Sequence, residues 1–333
     1  MTTFGDTDHR PDHRAGHRHT GTAHPPDARS APDASGAPAG GVEVRGLTRT
    51  FGQVRAVDGV SFTVPPGLLT GFVGGNGAGK TTTMRMIMGV LAPTSGEVLW
   101  AGRPISAGDR RTFGYMPEER GLYPKQPVLD QLVYLGRLRG LSTAAARASV
   151  TEHLERLGLT ERAKDHVEKL SLGNQQRVQI IAALMGEPQA LVLDEPFSGL
   201  DPVAVDNMAD LLREHTARGV PVLFSSHQLD LVERLCERLV VLSRGRVVAN
   251  GSPDELRSRS VVRHRIVLSG DAGWVRGIPG VHAVDVEGAS ALVEVVEPGA
   301  ERALLAEAVR RGDVHEFAPQ RPSLAQIYRE VTA

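Results

Sequence analysis

One glycine-rich stretch decides the fold: Gly74-Gly75-Asn76-Gly77-Ala78-Gly79-Lys80-Thr81. It matches the pattern G-x-x-x-x-G-K-[ST], and it lies between the apolar run 68–73, a predicted strand, and a predicted helix near 80–88. Glycines let backbone N–H groups point inward around phosphate oxygens, and the positive end of the following helix adds to the attraction. The stretch therefore predicts a phosphate-binding loop. The alternative is a glycine-rich turn that only links a strand to a helix.

The residues of this loop have separate predicted tasks. Lys80 should reach the β- and γ-phosphates of a nucleoside triphosphate, and the Thr81 hydroxyl should ligate the Mg²⁺ ion that bridges them. We therefore expect these residues to bind nucleotide: Gly74, Gly75, Asn76, Gly77, Ala78, Gly79, Lys80, Thr81 and Thr82.

A second apolar run, 190–193, ends in two carboxylates, Asp194 and Glu195. The carboxyl ends of buried parallel strands deliver side chains to the sheet edge where ligands bind. Asp194 is predicted to support Mg²⁺, and Glu195 to accept a hydrogen bond from the attacking water and orient it. A strand that simply ends in solvated acids is the alternative, and the phosphate loop upstream makes it less favoured.

Three further segments resemble motifs of the ABC ATPases. Leu170-Ser-Leu-Gly-Asn-Gln-Gln-Arg177 resembles their signature, Ser198-Gly-Leu-Asp201 their D-loop, and Ser225-Ser-His227 the segment that ends in their switch histidine. With the phosphate loop and the paired acids, these motifs follow the family order across 42–255. The corresponding signature positions are Ser171, Leu172, Gly173 and Asn174, and the D-loop positions are Ser198, Gly199, Leu200 and Asp201.

The resemblance implies roles for these residues. Phe51 falls where the family stacks an aromatic ring on adenine, and its alternative is an ordinary core phenylalanine. His227 would donate a hydrogen bond toward the γ-phosphate. The signature segment of one domain completes the nucleotide site of another, so two such domains would face each other with two ATP molecules between them. Only one set of motifs is present, so we expect the chain to pair with a copy of itself or a close relative.

Some positions depart from the common family pattern. Leu172 stands where Gly is usual and Asn174 where Gln is usual, so backbone packing at the signature is expected to differ. Glu118 stands where the family usually has Gln. A carboxylate there could ligate Mg²⁺ or hold water, but its charge near phosphates is unfavourable unless the metal offsets it. Glu118 is therefore both a metal candidate and, with Lys80, Glu195 and His227, a catalytic candidate.

Two segments point to a subgroup. The sequence PEERGLYP at 117–124 and the terminal pattern at 322–331 are similar to ATP-binding subunits of ABC-2-type exporters, including the drug- and sodium-extruding kind. The resemblance implies an ATP-hydrolysing subunit that uses ATP and Mg²⁺ and powers a separate integral membrane permease, which would contact the transported substrate. The alternatives are an importer subunit, a non-transport ABC ATPase and a catalytically silent binding module.

In this family a coupling helix of the permease docks between the phosphate loop and the signature, roughly within 115–165. We predict Tyr123, Pro124 and Leu129 as groove residues, with plain helical core as the alternative.

The fold class expected from the resemblance is α/β, a P-loop NTPase of the ABC ATPase type. It would have a central mostly parallel sheet, an antiparallel β subdomain, a helical subdomain near 120–185 and a small α+β C-terminal domain. The expected divisions are a His- and Pro-rich disordered tail at 1–40, the ATPase domain at 41–255 and the accessory domain at 260–333. The accessory domain has the order of a β-α-β-β-α-β unit. Its predicted elements are strands at 262–268, 281–286, 291–296 and 313–317, a short helix around Trp274 and a helix at 300–311.

Composition excludes other classes. The chain has 38 Lys plus Arg against 39 Asp plus Glu, so no overall positive field exists to hold nucleic acid. No stretch reaches the roughly 18 consecutive apolar residues of a membrane helix, and the start lacks a secretory apolar core. The single cysteine, Cys236, cannot form an internal disulfide. We expect a cytoplasmic protein, peripheral on the inner face of the plasma membrane through its permease.

Overall fold

The computed structural model describes residues 40–119, 121–258 and 262–332. The predicted tail therefore lies, apart from Gly40, outside the described residues. The strands are β1 (Val42–Phe51), β2 (Val54–Val64), β3 (Leu69–Gly74), β4 (Ser95–Trp100), β5 (Arg103–Pro104), β6 (Phe113–Met116), β7 (Ala190–Leu193), β8 (Val222–Ser226), β9 (Arg238–Ser243), β10 (Arg246–Gly251), β11 (Arg263–Leu268), β12 (Val281–Glu287), β13 (Ser290–Val295) and β14 (Val314–Gln320). The helices are α1 (Lys80–Ile87), α2 (Ala107–Arg111), α3 (Val128–Leu138), α4 (Thr143–Arg156), α5 (Leu172–Leu184), α6 (Pro202–Ala217), α7 (Leu229–Leu235), α8 (Pro253–Ser258), α9 (Ala300–Arg311) and α10 (Leu324–Thr332), with 3₁₀ turns at Thr160–Arg162, Val167–Lys169 and Gly273–Gly277.

The central sheet has six strands in the order β10-β9-β3-β8-β7-β6. All neighbouring pairs are parallel except β10 with β9. Every residue of β3, β7 and β8 is buried, as expected for strands covered on both faces. Because these three strands run in one direction, the phosphate loop after β3, the acids after β7 and His227 after β8 reach the same edge of the sheet.

The two faces of this sheet support different layers. Val192 belongs to the cluster that includes Val44 of β1 and Met84 of α1, on the side of the four-stranded antiparallel sheet β2-β1-β4-β5. Leu191 and Leu193 belong to the cluster that includes the buried residues of α3 to α7. Successive residues of β7 thus face opposite layers, as strand geometry requires. This arrangement confirms the predicted α/β fold with its antiparallel and helical parts.

The third sheet is small and antiparallel, with the order β12-β13-β11-β14. Its core is apolar and includes Ile266, Val293 and Leu304, the last contributed by α9. The chain order β11, 3₁₀ turn, β12, β13, α9, β14 is that of the β-α-β-β-α-β unit.

The structure contains elements that sequence patterns did not predict, namely α2, α6 to α8, β4 to β6, β9 and β10. Helix α5 begins at Leu172, because the Ser171 side chain accepts a hydrogen bond from the Asn174 amide and caps the helix. Over the described ranges, no helix is long and apolar enough to cross a membrane.

Candidate functional site

The phosphate loop has a backbone that only glycine tolerates at its end. Gly77 and Gly79 have φ angles of 75° and 103°, in the left-handed region. A Cβ atom on Gly79 would lie 2.7 Å from the Ala56 carbonyl oxygen, so a side chain there would force the loop away from β2. The glycine pattern therefore reflects both the dihedral angle and the close packing.

Lys80 begins α1 and is buried, with 8% of its surface exposed. Its Nζ donates hydrogen bonds to the Gly74 carbonyl at 2.7 Å and the Gly75 carbonyl at 3.3 Å. These bonds hold the ammonium group over the loop. The adjoining cavity of about 330 Å³ is lined by Ala56, Asn76, Gly77, Ala78, Gly79, Lys80, Thr81, Thr82, Glu118, Asp194 and Glu195.

Asp194 follows β7 at this edge of the central sheet, and 1% of its surface is exposed. Its Oδ1 accepts a hydrogen bond from the Ser225 hydroxyl at 2.5 Å, while Oδ2 is buried without a hydrogen-bond partner among the described residues. Burial raises the pKa of the Asp194 carboxyl, and the Ser225 hydrogen bond offsets part of the rise. A buried carboxylate oxygen without a partner, beside the Thr81 and Glu118 oxygens, fits a hard cation such as Mg²⁺.

Glu195 adopts a backbone conformation that is rare for its type, with φ at 52°. Its amide donates to Ser225 Oγ at 2.8 Å, and its carbonyl accepts from Gln176 Nε2 at 2.7 Å. Its Oε2 lies 3.0 Å from Nδ1 of His227. Such strain costs about 1–3 kcal/mol and persists where neighbouring contacts enforce it, as these bonds do here.

Ser225 and Gln176 are therefore supporting residues for which sequence reasoning proposed no role. The Ser225 hydroxyl donates to the Asp194 carboxylate and accepts from the Glu195 amide. Gln176, on the signature helix, donates to the Glu195 carbonyl. In the sequence, Ser225 is only a polar residue near the end of an apolar strand. That position does not predict which strand lies beside it.

Replacing Ser225 with alanine should lower the free energy of unfolding by about 1–3 kcal/mol, because it leaves a buried carboxylate oxygen and an amide unpaired. ATP turnover should fall about tenfold or more, since both acids lose their common anchor. Thermal unfolding and steady-state hydrolysis measure the two effects. Ser226→Ala is the matched control, because Ser226 Oγ accepts from the Gln228 amide instead. Equal losses of turnover in the two variants would contradict this role.

Thr81 and Glu118 meet at the mouth of the cavity. The Thr81 hydroxyl donates to Glu118 Oε2 at 3.2 Å. The structure thus brings the three predicted metal candidates, Thr81, Glu118 and Asp194, together in the lining of one cavity.

The signature residues lie at the start of α5. Ser171 caps the helix, and a Cβ atom on Gly173 would lie 2.9 Å from the Gly199 carbonyl oxygen of the D-loop. Leu172 is 59% exposed, so its side chain displaces no packed backbone, and Asn174 contributes its amide to the cap. The close contact expected of a glycine therefore falls at Gly173 rather than at Leu172.

The D-loop joins this region to α6. Asp201 caps α6 by accepting from the Ala204 amide at 2.9 Å, and its other oxygen accepts from Arg177 at 2.8 Å. The Ala204 amide, with Arg177, lowers the pKa of the Asp201 carboxyl. Leu200 packs against the helical core. A second cavity of about 340 Å³ is lined by Asn76, Glu118, Leu172, Gln176, Glu195, Ser198, Gly199 and His227.

Phe51 ends β1 on the surface and is 46% exposed, so it is not a core residue. The Arg49 guanidinium lies 4.7 Å from its ring centroid. Phe51 does not line the phosphate cavity in this chain. Gly74 and Gly75 do not line it either, although their carbonyls accept hydrogen bonds from Lys80, which does.

Comparison with known proteins agrees with this geometry. A family model described as "ABC transporter" matches residues 57–198, and one described as "ATP-binding protein DrrA1-3-like, C-terminal domain" matches 251–332. The chain is 39% identical to the uncharacterized ABC transporter ATP-binding protein YhaQ of Bacillus subtilis, over 85% of this chain and 96% of that protein. It is 39% identical to Nod factor export ATP-binding protein I of Paraburkholderia xenovorans, over 66% of this chain and 73% of that protein. A solved structure of the ATP-binding subunit of an ABC transporter superposes with a TM-score of 0.61 at 32% identity, covering 66% of this chain and 92% of that one.

Proposed function

Because the chain belongs to the ABC transporter ATP-binding proteins, we propose that it is the ATPase subunit of an ABC-2-type exporter and drives a separate membrane permease. We assign 41–255 to the ATPase domain and 260–333 to an accessory domain. The observation that carries the proposal is the meeting of Lys80, Asp194 and Glu195 at one cavity. ATP hydrolysis itself is the activity of this family.

Within this proposal the loop from Gly74 to Thr82 holds the triphosphate. Its backbone N–H groups and the start of α1 favour negative charge, and Lys80 supplies the one cationic side chain that lines the cavity within the described ranges. Phe51, exposed at the surface, is available to stack on the adenine ring.

Thr81, Asp194 and Glu118 would hold Mg²⁺, with Asp194 Oδ2 as the buried oxygen left for it. When bound, the ion neutralises charge that develops on the phosphates during transfer. Glu118 keeps the hydrogen bond from Thr81 that a glutamine oxygen would also accept. Because Glu118 carries a negative charge that a glutamine would lack, binding of the triphosphate at this site depends more strongly on Mg²⁺.

The acid Glu195 has the geometry of a residue that orients water. Its carboxylate is 15% exposed, so it faces the cavity while its backbone is fixed by Ser225 and Gln176. His227 Nδ1 contacts this carboxylate, which leaves Nε2 for a contact with the γ-phosphate. The pair can therefore orient the nucleophile and respond to the terminal phosphate.

Proteins of this family dimerise and act with membrane permeases. We propose that the signature segment from Ser171 to Asn174 binds the triphosphate held by a second copy. Its helix start offers amide groups to phosphate oxygens, and the exposed Leu172 leaves that surface open to a partner. ATP would then stabilise the paired state, because only the paired state contacts the γ-phosphate from both sides.

Export is favoured over import by the name of one relative and by the terminal pattern at 322–331, which resembles exporter subunits. The C-terminal region matches the DrrA1-3-like domain, and a relative is named for Nod factor export. The transported substrate would contact the permease rather than this chain. We place the subunit on the cytoplasmic face of the membrane.

An apolar groove of about 340 Å³ offers a place for the permease. Its lining includes Tyr115, Leu122, Leu135, Leu138 and Ala182. The sequence-based groove residues lie elsewhere: Leu129 packs against the helical core, and Tyr123 and Pro124 do not line the groove. Tyr123 and Pro124 precede α3, so their place relative to the groove depends on the loop that leads into this helix.

Replacing Leu138 with lysine should release the subunit from the membrane fraction of cells, reducing the bound share about tenfold or more. Leu138 is 66% exposed in the last turn of α3, where a cation suits the helix end. The purified variant should keep its ATPase activity and melting temperature. Val309→Lys, an exposed apolar position on α9, is the matched control. Membrane retention equal to that of the wild type would argue against this groove.

The proposed function is tested by co-expressing this chain with the protein that is encoded by the reading frame next to its own gene, provided that this protein has several membrane spans. The complex should co-purify in detergent and hydrolyse ATP. Inverted membrane vesicles should accumulate a cargo such as ethidium or Na⁺ when ATP is added outside. ATP-driven loss of cargo from such vesicles would indicate import and contradict the proposal.

A further inference from the structure

Helix α10 returns from the small C-terminal sheet to the ATPase domain. Leu324 and Ile327 are each 4% exposed and belong to the same apolar cluster as Leu231 and Val232 of α7. The helix also contacts α8 and β10. The apolar residues Leu324 and Ile327 of this helix therefore pack on the ATPase domain.

A polar contact fixes the start of this helix. The Leu324 amide donates to Glu233 Oε2 at 3.4 Å, and Glu233 on α7 also pairs with Arg257 of α8. Helix α7 begins directly after the segment that carries His227. The docking site of α10 is thus the helix that follows one of the proposed γ-phosphate contacts.

Tyr328 lies one turn after Leu324 and is half-buried against the same cluster. A Cβ atom built on Gly75 would lie 3.4 Å from the Tyr328 hydroxyl oxygen. The phenol of the C-terminal helix therefore lies against the second glycine of the phosphate loop. A phenylalanine ring would satisfy the apolar packing equally well, so the hydroxyl that lies against the loop backbone is the part of Tyr328 that can act on the loop.

Gly75 is a sensitive point of the loop. Its carbonyl accepts hydrogen bonds from Lys80 Nζ at 3.3 Å and from the Ala78 amide at 3.2 Å. A small shift of Gly75 would move the carbonyl that helps to hold Lys80 and would change the direction of the loop amides. A contact on Gly75 can therefore alter phosphate binding without touching the nucleotide.

We propose that Tyr328 is a positioning residue for nucleotide binding, through which the C-terminal helix supports the phosphate loop at Gly75. Tyr328 acts on Lys80 and the loop amides and has no contact with the reacting atoms. The proposal rests on the role assigned above to the phosphate loop. It gives the C-terminal domain a direct mechanical link to the nucleotide site.

The test uses the full-length Tyr328→Phe variant, which removes only the hydroxyl. The dissociation constant for a fluorescent ATP analogue and the KM for ATP should both rise about three- to tenfold, because Gly75 loses the contact that supports it, an effect of the order of one polar contact. The kcat should stay within about twofold, and the melting temperature should not change, because the ring still packs. Tyr134→Phe, at a half-exposed site on α3, is the matched control and should match the wild type.

Ile327→Val separates positioning from docking. It should lower the melting temperature by loosening α10 while leaving ATP affinity unchanged. Wild-type affinity in Tyr328→Phe would overturn the proposal, and so would an affinity loss in Ile327→Val as large as that in Tyr328→Phe. Lys80→Ala distinguishes a failure of the Tyr328 proposal from a failure of the nucleotide-binding role of the phosphate loop. If Lys80→Ala binds ATP like the wild type, the phosphate-loop role itself fails, whereas loss in that variant with none in Tyr328→Phe refutes Tyr328 alone.

Discussion

Lys80→Ala should abolish measurable ATP binding, raising the dissociation constant by about a hundredfold or more. The phosphate cavity is lined by three acids, Glu118, Asp194 and Glu195, and within the described ranges Lys80 is its one cationic side chain. Without the ammonium group, all the charged side chains that line the cavity would be negative until a cation binds. Isothermal titration with ATP, in the presence and absence of Mg²⁺, measures the loss.

Two controls make this result interpretable. Lys80 also donates to the Gly74 and Gly75 carbonyls, so the variant's circular dichroism and melting temperature must show that it is folded. Lys125→Ala removes an exposed lysine and should bind ATP like the wild type. Binding by Lys80→Ala within a few-fold of the wild type would remove this loop from the proposed site.

Glu195→Gln should slow ATP hydrolysis by about 10²- to 10⁴-fold while ATP binding is retained. The substitution keeps the shape of the side chain and its contact distance to His227, but it removes the negative charge that orients and activates water. The strained backbone and its bonds to Ser225 and Gln176 do not depend on the carboxylate, so the fold should be unchanged. Single-turnover hydrolysis separates this chemical defect from binding.

Glu119→Gln is the matched control for this variant. Glu119 is close in sequence to Glu118, but its side chain is 85% exposed and does not line the cavity. It should hydrolyse ATP at nearly the wild-type rate. Undiminished turnover by Glu195→Gln would assign the water-orienting role to another residue.

Local sequence patterns were sufficient to predict those parts of the site that lie within one loop and its flanking elements. The glycine spacing of the phosphate loop predicted the start of α1 at Lys80, and the apolar run before Asp194 predicted β7. The family order of motifs predicted the fold class by resemblance, and the phosphate loop, the paired acids and His227 do each follow a strand of one parallel sheet. These features depend on short-range sequence, which is why they could be read directly.

Contacts between distant segments could not be read in this way. Ser225 binds Asp194 only because β7 and β8 are neighbours, and Tyr328 reaches Gly75 only because α10 returns to α7. Neither relation leaves a periodic signal. The sequence also could not show which way the Leu172 side chain points. It points to solvent, and Gly173 is the residue that closely approaches the D-loop backbone.

The central claim is that ATP joins two copies of this chain through the phosphate loop of one and the signature segment of the other. Light scattering of purified Glu195→Gln during size-exclusion chromatography, with and without ATP and Mg²⁺, tests it most directly. We expect a monomer without nucleotide and a molar mass about twice as large with ATP and Mg²⁺. A protein that binds ATP yet stays monomeric at every concentration tested would contradict it.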